Sequence, residues 1–280
     1  SLFATITGMP TLPLTDLPIH SSLPELLAAL QRHNNVVLQA PPGAGKSTGV
    51  PLALLDAPFL SGKILMLEPR RIAARSVASR MALMLNEPVG KTVGYRTRLD
   101  TKVSTATRIE IVTEGILTRM LQSDPELRDV SMIIFDEYHE RSLHADLGLA
   151  LCLEAQSTLR EDLKVLVMSA TLDGDAVASL LGNAPMVTAR GQSFPVTTQY
   201  RGQKSSTTAA AGFYDLAQRV TAVILKALAE ETGDMLVFLP GQGEIRRTQA
   251  LLEQAALARD INVLPLYGEL SAAEQDRAIE

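Results

Sequence analysis

The amino-acid sequence predicts an α/β fold, in which helices cover both faces of a parallel sheet and the start of a second unit of the same class follows. Three observations lead to this prediction. Short aliphatic runs recur along the chain, they show no clean alternation of apolar and polar residues, and the stretches between them have helical spacing. Strands buried on both faces have such runs, and strand–helix alternation is typical of right-handed βαβ units.

Five runs are the predicted strands of the first domain, at residues 36–38, 64–67, 109–112, 132–135 and 165–168. Each has about four mostly aliphatic residues, which favours a short buried strand over an amphipathic helix. Helices are expected between them, because apolar side chains recur there at helical intervals. Examples are Ile72, Val77, Met81 and Leu85, and later Leu143, Leu147 and Leu151.

The second domain is predicted to begin after a change in composition. Residues 189–211 are rich in Gly, Ser, Thr and Gln, and we place the boundary at the start of this stretch. The predicted domains are therefore 1–190, with a short N-terminal extension, and 191–280. In the second we expect helices over 213–229 and 244–256, strands over 235–239 and 261–266, and the start of another helix. Two strands do not complete a doubly wound sheet, so this domain is expected to be truncated.

Composition narrows the class of protein. Of the 280 residues 46% are apolar and 20% are charged, which is enough apolar material for a core. The net charge of −5 argues against a uniformly basic nucleic-acid binder. A single cysteine, Cys152, excludes an internal disulfide framework. No apolar stretch reaches the length of a membrane span, and the first ten residues lack the basic start of a signal peptide. We therefore expect a cytoplasmic protein without membrane contact, and a monomer.

One segment departs from the acidic average. Residues 61–120 contain eleven Lys and Arg against five Asp and Glu. These charges are typical either of solvated helix faces or of a basic surface that faces a polyanion. Charge alone does not separate these two interpretations.

A phosphate-binding loop is the strongest motif. Residues 40–48 read APPGAGKST, directly after the first predicted strand and before a helix. The glycines let backbone N–H groups surround a β-phosphate, and the helix N-terminus favours negative charge. Lys46 is placed to reach the β- and γ-phosphates, and the Ser47 hydroxyl to bind Mg²⁺. Ala40 stands where the strict pattern has glycine. The predicted nucleotide-binding residues are Pro42, Gly43, Ala44, Gly45, Lys46, Ser47 and Thr48.

Two acidic residues follow the fourth predicted strand. Asp136 and Glu137 come directly after it, at the edge of an open α/β sheet where ligands bind. Asp136 is predicted to hold Mg²⁺ through water, and Glu137 to accept a proton from the attacking water. Alone, such a pair is more often an ordinary acidic turn. Together with an upstream phosphate loop it predicts a nucleotide-hydrolysing site.

From about residue 22 onward the sequence resembles the DEAH-box helicases of superfamily 2, and within them the bacterial HrpB-type. In addition to the phosphate loop, the resemblance depends on short segments in a characteristic order. They are 68–74 (EPRRIAA), 93–98 (VGYRTR), 113–117 (TEGIL), 136–141 (DEYHER), 169–171 (SAT), 236–241 (LVFLPG) and 266–268 (LYG). Tyr138 stands where the pattern has alanine. The resemblance implies two RecA-like domains, ATP or ADP with Mg²⁺ as cofactors, and single-stranded RNA as partner.

The resemblance also implies roles for individual residues. His139, Ser169 and Thr171 would couple the nucleotide site to domain movement, with His139 counted among the catalytic residues beside Lys46, Asp136 and Glu137. Arg80 would stack on the adenine. The backbone of the single strand would contact Arg70, Arg71, Arg98 and Thr113.

The resemblance therefore predicts an ATP-dependent RNA helicase, here as an N-terminal part with little turnover of its own. Two alternatives stay open from the sequence. One is a P-loop translocase that acts on DNA. The other is a polypeptide that only binds nucleotide and a single strand.

Overall fold

The computed structural model describes residues 17–170, 174–191, 195–200, 209–255, 257 and 261–279. The chain divides into two compact units, with the division between Pro195 and Val196. The predicted boundary at residue 190 lies five residues before this division, and the assignment of the units to two RecA-like domains stays a prediction.

The first unit alternates strands and helices. After a 3-10 turn at Pro18–Ser22, its helices are α1 (Leu23–Arg32), α2 (Lys46–Leu54), α3 (Arg71–Met84), α4 (Glu114–Ser123), α5 (Leu143–Thr158) and α6 (Gly174–Leu180). Its strands are β1 (Asn35–Gln39), β2 (Lys63–Glu68), β3 (Val93–Arg96), β4 (Thr101–Lys102), β5 (Ile109–Thr113), β6 (Val130–Phe135), β7 (Lys164–Ser169) and β8 (Met186–Thr188). A second 3-10 turn covers Tyr138–Glu140.

The eight strands among the described residues form one sheet in the order β4-β3-β5-β2-β6-β7-β1-β8. Every neighbouring pair is parallel except β3 and β4, which form an antiparallel hairpin. The carboxyl ends of the seven parallel strands therefore lie at one edge of the sheet. This edge is where ligands bind in open α/β folds.

The core lies on both faces of this sheet. Successive side chains of a strand point to opposite faces, so each central strand contributes to both halves of the core. In β6, Met132 and Ile134 pack into one apolar cluster, whereas Ile133 and Phe135 pack into the other. All four are fully buried. The predicted fold class, a parallel sheet sandwiched by helices, is confirmed.

The five strands predicted for the first domain are confirmed as β1, β2, β5, β6 and β7. Strands β3, β4 and β8 were not predicted from the sequence. They have two to four residues each. Strands β4 and β8 are the two edges of the sheet, and β3, which contains Gly94, lies next to β4. Such short segments lack the aliphatic run that identifies a central strand.

The second unit contains three helices among its described residues: α7 (Ala209–Glu230), α8 (Gln242–Gln254) and α9 (Ala272–Ile279). The strands predicted over 235–239 and 261–266 are wrong, because the structure has no strand at either segment. Phe238 is 87% exposed there and Leu236 is 75% exposed. A strand requires a hydrogen-bonded neighbour, and an apolar run alone does not specify one. Among the helices that the structure describes, none combines the length and the apolar character that crossing a membrane requires.

Candidate nucleotide and nucleic-acid site

The phosphate loop lies between β1 and α2. Gly43 and Gly45 have φ angles of 77° and 86°, in the left-handed region that glycine adopts without steric cost. The N–H of Ile19 donates to the Ala44 carbonyl at 2.9 Å, which ties the 3-10 turn before α1 to the loop. Because α2 begins at Lys46, the loop leads directly into a helix N-terminus. This geometry provides N–H donors and a favourable dipole for phosphate.

Lys46 is buried and forms an ion pair with Glu137. Its Nζ lies 2.5 Å from Glu137 Oε1, and only 5% of the Lys46 side chain is exposed. The structure therefore brings together the predicted phosphate ligand and the predicted general base, 91 residues apart in the chain. A phosphate that recruits the Lys46 ammonium would compete with the Glu137 carboxylate for it.

Asp136 precedes Glu137 and directly follows the carboxyl end of β6. Its Oδ1 accepts a hydrogen bond from the Glu137 N–H at 2.8 Å. Its Oδ2 is fully buried and, within the described part of the chain, has no hydrogen-bond partner. Burial raises the pKa of Asp136 above its ordinary value, and the nearby Ser47 side chain and Lys46 charge oppose that rise.

This carboxylate fits a magnesium ion held through water. A buried oxygen without a partner is costly unless something binds it, and Mg²⁺ prefers oxygen ligands, water included. The Ser47 side chain lies close to Asp136. No group of three His, Cys, Asp or Glu side chains suited to a metal forms within the described ranges. P-loop sites do not need such a group, because phosphate and water complete the coordination of the ion.

Glu68 is a residue of this site that was not singled out from the sequence. It is the last residue of β2 and is only 2% exposed. Burial raises the pKa of Glu68 to about 9, and the neighbouring carboxyl groups of Asp136 and Glu137 act in the same direction. The raised pKa keeps Glu68 protonated at pH 7, beside Asp136. The sequence feature that could have identified Glu68 is a carboxylate directly after the apolar run of residues 64–67.

His139 connects the acidic turn to the end of β7. Its Nδ1 accepts a hydrogen bond from the Ala170 N–H at 3.3 Å and lies 3.4 Å from Glu137 Oε2. Ser169, the last residue of β7, is buried. Thr171, the third residue of the predicted coupling group, lies outside the described residues.

The turn that carries His139 has an unusual backbone. Glu137 and Arg141 both have positive φ, at 49° and 44°, which is uncommon for residues other than glycine. Tyr138 anchors the turn: its hydroxyl donates to Asp146 Oδ1 at 2.7 Å, and its ring packs edge-on against Phe135. Arg141 binds the other oxygen of Asp146 at 2.8 Å. Asp146 is a second residue of the site that was not identified from the sequence.

The predicted nucleic-acid contacts lie on the neighbouring half of the same sheet edge. Arg70 follows β2, Arg98 follows β3, and Thr113 ends β5. In the sheet order these three strands are adjacent, and β6, β7 and β1 carry the nucleotide residues beyond them. Along this one edge, the topology thus separates a row of predicted nucleic-acid contacts from a row of predicted nucleotide contacts.

The side chains of the first row differ in their surroundings. Arg71 and Arg98 are exposed, and Thr113 is half-buried. The Arg70 side chain is 72% exposed and forms an ion pair with Glu140 at 3.0 Å. Arg80, the predicted base-stacking residue, is half-buried on α3.

Comparison with known proteins identifies the family. The family model for the DEAD/DEAH box helicases matches residues 20–180, which contain every residue of both rows. The chain belongs to the DEAD/DEAH box helicase family. The family predicted from the sequence is thereby confirmed.

Individual helicases of this family are similar over nearly the whole chain. The sequence is 51% identical to the ATP-dependent RNA helicase HrpB of Escherichia coli over 95% of this chain and 32% of that protein. It is 35% identical to the HrpA homolog of Haemophilus influenzae, over 93% of this chain and 20% of that helicase. The crystal structure of the E. coli DEAH/RHA helicase HrpB matches with a TM-score of 0.84 and 50% identity, over 94% of this chain and 33% of that structure. The chain thus spans about a third or less of the length of these helicases.

Proposed function

We propose that this chain provides the ATP-binding and strand-binding parts of an ATP-dependent RNA helicase. The observation that carries the proposal is the ion pair of Lys46 with Glu137. It lies next to the buried Asp136, where a glycine-containing loop leads into a helix N-terminus. The relatives that match nearly the whole chain are ATP-dependent RNA helicases by name, which supports the substrate class.

The geometry suggests how nucleotide binding would prepare hydrolysis. In the structure Lys46 neutralises Glu137. When Lys46 turns to the β- and γ-phosphates, it leaves Glu137 Oε1 free to accept a proton from the attacking water. Ser47 and Asp136 would hold Mg²⁺, which neutralises charge on the phosphates when it is bound. One exchange of partners at Lys46 would therefore provide both a phosphate ligand and a general base.

The remaining predicted residues have supporting roles. Arg80 would stack on the adenine, next to a loop in which Pro42 to Thr48 surround the phosphates. His139 would transmit the state of Glu137 to β7 through its bond to the Ala170 N–H, with Ser169 and Thr171. Cytoplasmic location and a monomeric state stay predictions from the sequence.

Single-strand binding provides the first test. We expect the double variant Arg70→Ala, Arg71→Ala to bind homopolymeric RNA more weakly. For each phosphate that is no longer neutralised, the slope of log affinity against log salt should become shallower by roughly 0.7. The measurement is fluorescence anisotropy at several salt concentrations, with Arg128→Ala as the control, because Arg128 is exposed and lies before β6, away from the carboxyl edge. An unchanged affinity and slope would show that the RNA binds at a surface without Arg70 and Arg71.

Phosphate release separates the helicase from its alternatives. We expect little turnover from this chain by itself. In a chain as long as its relatives, turnover that single-stranded RNA increases, and that Glu137→Gln abolishes, is expected of an RNA-directed enzyme. Equal stimulation by a matched DNA strand would favour the DNA-directed translocase. Nucleotide and strand binding without any hydrolysis, in this chain and in a chain as long as its relatives, would leave only a binding function.

A further inference from the structure

The ion pair between Arg70 and Glu140 connects a predicted RNA-contacting residue to the turn that carries Glu137. Arg70 lies between β2 and α3, and Glu140 ends the 3-10 turn that follows β6. Since β2 and β6 are adjacent parallel strands, with Leu67 paired to Phe135, these two residues extend from neighbouring strand ends. A guanidinium nitrogen of Arg70 lies 3.0 Å from Glu140 Oε2.

We propose that Glu140 occupies the guanidinium of Arg70 in the strand-free protein as a substitute for a backbone phosphate, and that a bound single strand displaces it. This inference rests on the proposed function, in which Arg70 contacts the strand. Carboxylate and phosphate oxygens offer a guanidinium the same charge-assisted hydrogen bonds. A strand phosphate can therefore take the position of the carboxylate without a new binding geometry.

Exposure makes this pair suitable for exchange. The side chains of Arg70 and Glu140 are 72% and 34% exposed, so both groups stay hydrated when they separate. Ion pairs at such positions are weak. The pair of Lys46 and Glu137 differs, since the Lys46 ammonium is buried. Glu140 can thus compete with a strand without excluding it.

Displacement of Glu140 would act on the turn that carries Glu137. The Glu140 N–H donates to the Glu137 carbonyl at 2.9 Å, so the two residues belong to one hydrogen-bonded turn. A second connection lies close by, where the Ser142 hydroxyl donates to Glu114 Oε1 at 2.6 Å. Glu114 directly follows Thr113, another predicted strand contact. The turn after β6 therefore contacts two segments that are predicted to bind the RNA strand. Of these two contacts, the Arg70–Glu140 ion pair is the one that RNA binding would break.

The test compares strand affinities of five forms of the 280-residue chain. Fluorescence anisotropy with a labelled homopolymeric RNA single strand at low salt would be measured for the parent and four variants. The variants are Glu140→Gln, Arg70→Ala, the combination of Glu140→Gln with Arg70→Ala, and Glu126→Gln. Glu126→Gln is the matched control. Its carboxylate also pairs with an exposed arginine, Arg128 at 2.7 Å, but it precedes β6 at the opposite edge of the sheet. Thermal unfolding of each form checks that the fold is retained.

We expect Glu140→Gln to tighten strand binding by up to about fivefold, the amount that an exposed ion pair allows. Arg70→Ala should weaken binding, and in its background Glu140→Gln should change nothing further. Glu126→Gln should leave the affinity at the parent value.

Each of the other results would overturn the proposal. An unchanged affinity of Glu140→Gln means that Glu140 does not compete with the strand. An equal gain with and without Arg70 means that Glu140 repels the strand through general charge. If the parent and all variants fail to bind RNA, the proposed function itself fails, and that outcome is distinct from the two before it.

Discussion

Lys46 combines two properties that matter for nucleotide binding. It is buried, and its ion-pair partner is Glu137, from which it would separate when nucleotide binds. The ammonium lies between the phosphate loop and Glu137 Oε1, 2.5 Å away. Burial strengthens its attraction for any anion, because the local dielectric constant is low. We therefore expect Lys46 to contribute strongly to nucleotide binding, in addition to the N–H donors of the loop.

We expect Lys46→Ala to lower the affinity for ADP and Mg²⁺ by at least about tenfold, the equivalent of one or two charged hydrogen bonds. Isothermal titration would measure it. Lys91→Ala is the control, since Lys91 is exposed and pairs with Glu87 within one surface segment. If Lys46→Ala bound ADP as the parent does, the phosphate loop would be wrongly assigned.

Glu68 should make the folded state sensitive to pH. Its pKa rises from 4.5 to about 9 in the fold, so the folded protein keeps a proton that the unfolded chain releases. The free energy of unfolding should therefore fall as the pH rises from about 5 to about 8. Asp136, whose pKa is also raised, contributes in the same direction.

The variant Glu68→Gln keeps a hydrogen-bond donor and removes this titration. Urea unfolding at about pH 5 and about pH 8 should show a smaller loss of stability in the variant than in the parent. Glu87→Gln is the control, because the pKa of Glu87 is lowered by Lys91 and Thr92 and its carboxyl stays ionised across this range. Equal losses in the parent and in Glu68→Gln would contradict a neutral Glu68.

At the scale of the element, the turn between β6 and α5 is held by several side-chain contacts. Two residues with positive φ enclose it, and Tyr138, Arg141 and Ser142 fix it to α5 and α4. Ser142 also caps α5 by accepting the Ala145 N–H at 3.0 Å. These contacts hold Glu137 and His139 in place at the cost of backbone strain.

Tyr138→Phe should reduce the free energy of unfolding by about 1 kcal/mol, because it removes one hydrogen bond and leaves the buried ring in place. Chemical denaturation would measure the loss. In a double-mutant cycle, Asp146→Asn should cost less in the Tyr138→Phe background than in the parent. Fully additive losses would show that the Tyr138 hydroxyl and Asp146 do not stabilise the turn together.

At the scale of the whole molecule, the predicted nucleotide residues all belong to the first compact unit. From Pro42 to Ser169 they precede the division after Pro195. The sheet of this unit has apolar cores on both faces, which is what a domain needs to fold independently.

We therefore expect residues 11–195 to fold cooperatively when expressed alone and to bind ADP with an affinity within about twofold of the full chain. Thermal unfolding and isothermal titration would test both parts. A loss of about tenfold or more would show that residues after Pro195 contribute to nucleotide binding.

The prediction of the fold from sequence succeeded where the signal is local. A strand buried on both faces is mostly aliphatic, so β1, β2, β5, β6 and β7 were recognisable as runs. The phosphate loop was recognisable for a related reason, because its backbone requires glycine at Gly43 and Gly45. The short strands β3, β4 and β8 lack such a run. The strands predicted after Leu228 failed because pairing depends on a partner.

The contacts that give the site its chemistry depend on tertiary structure. Lys46 meets Glu137, Glu68 meets Asp136, and Arg70 meets Glu140 only because β1, β2 and β6 end at one edge of a common sheet. Local sequence determines which residues form strands and loops, since backbone conformation and burial on both faces are properties of short segments. The order of the strands decides which charges become neighbours, because proximity and desolvation arise between segments distant in the chain.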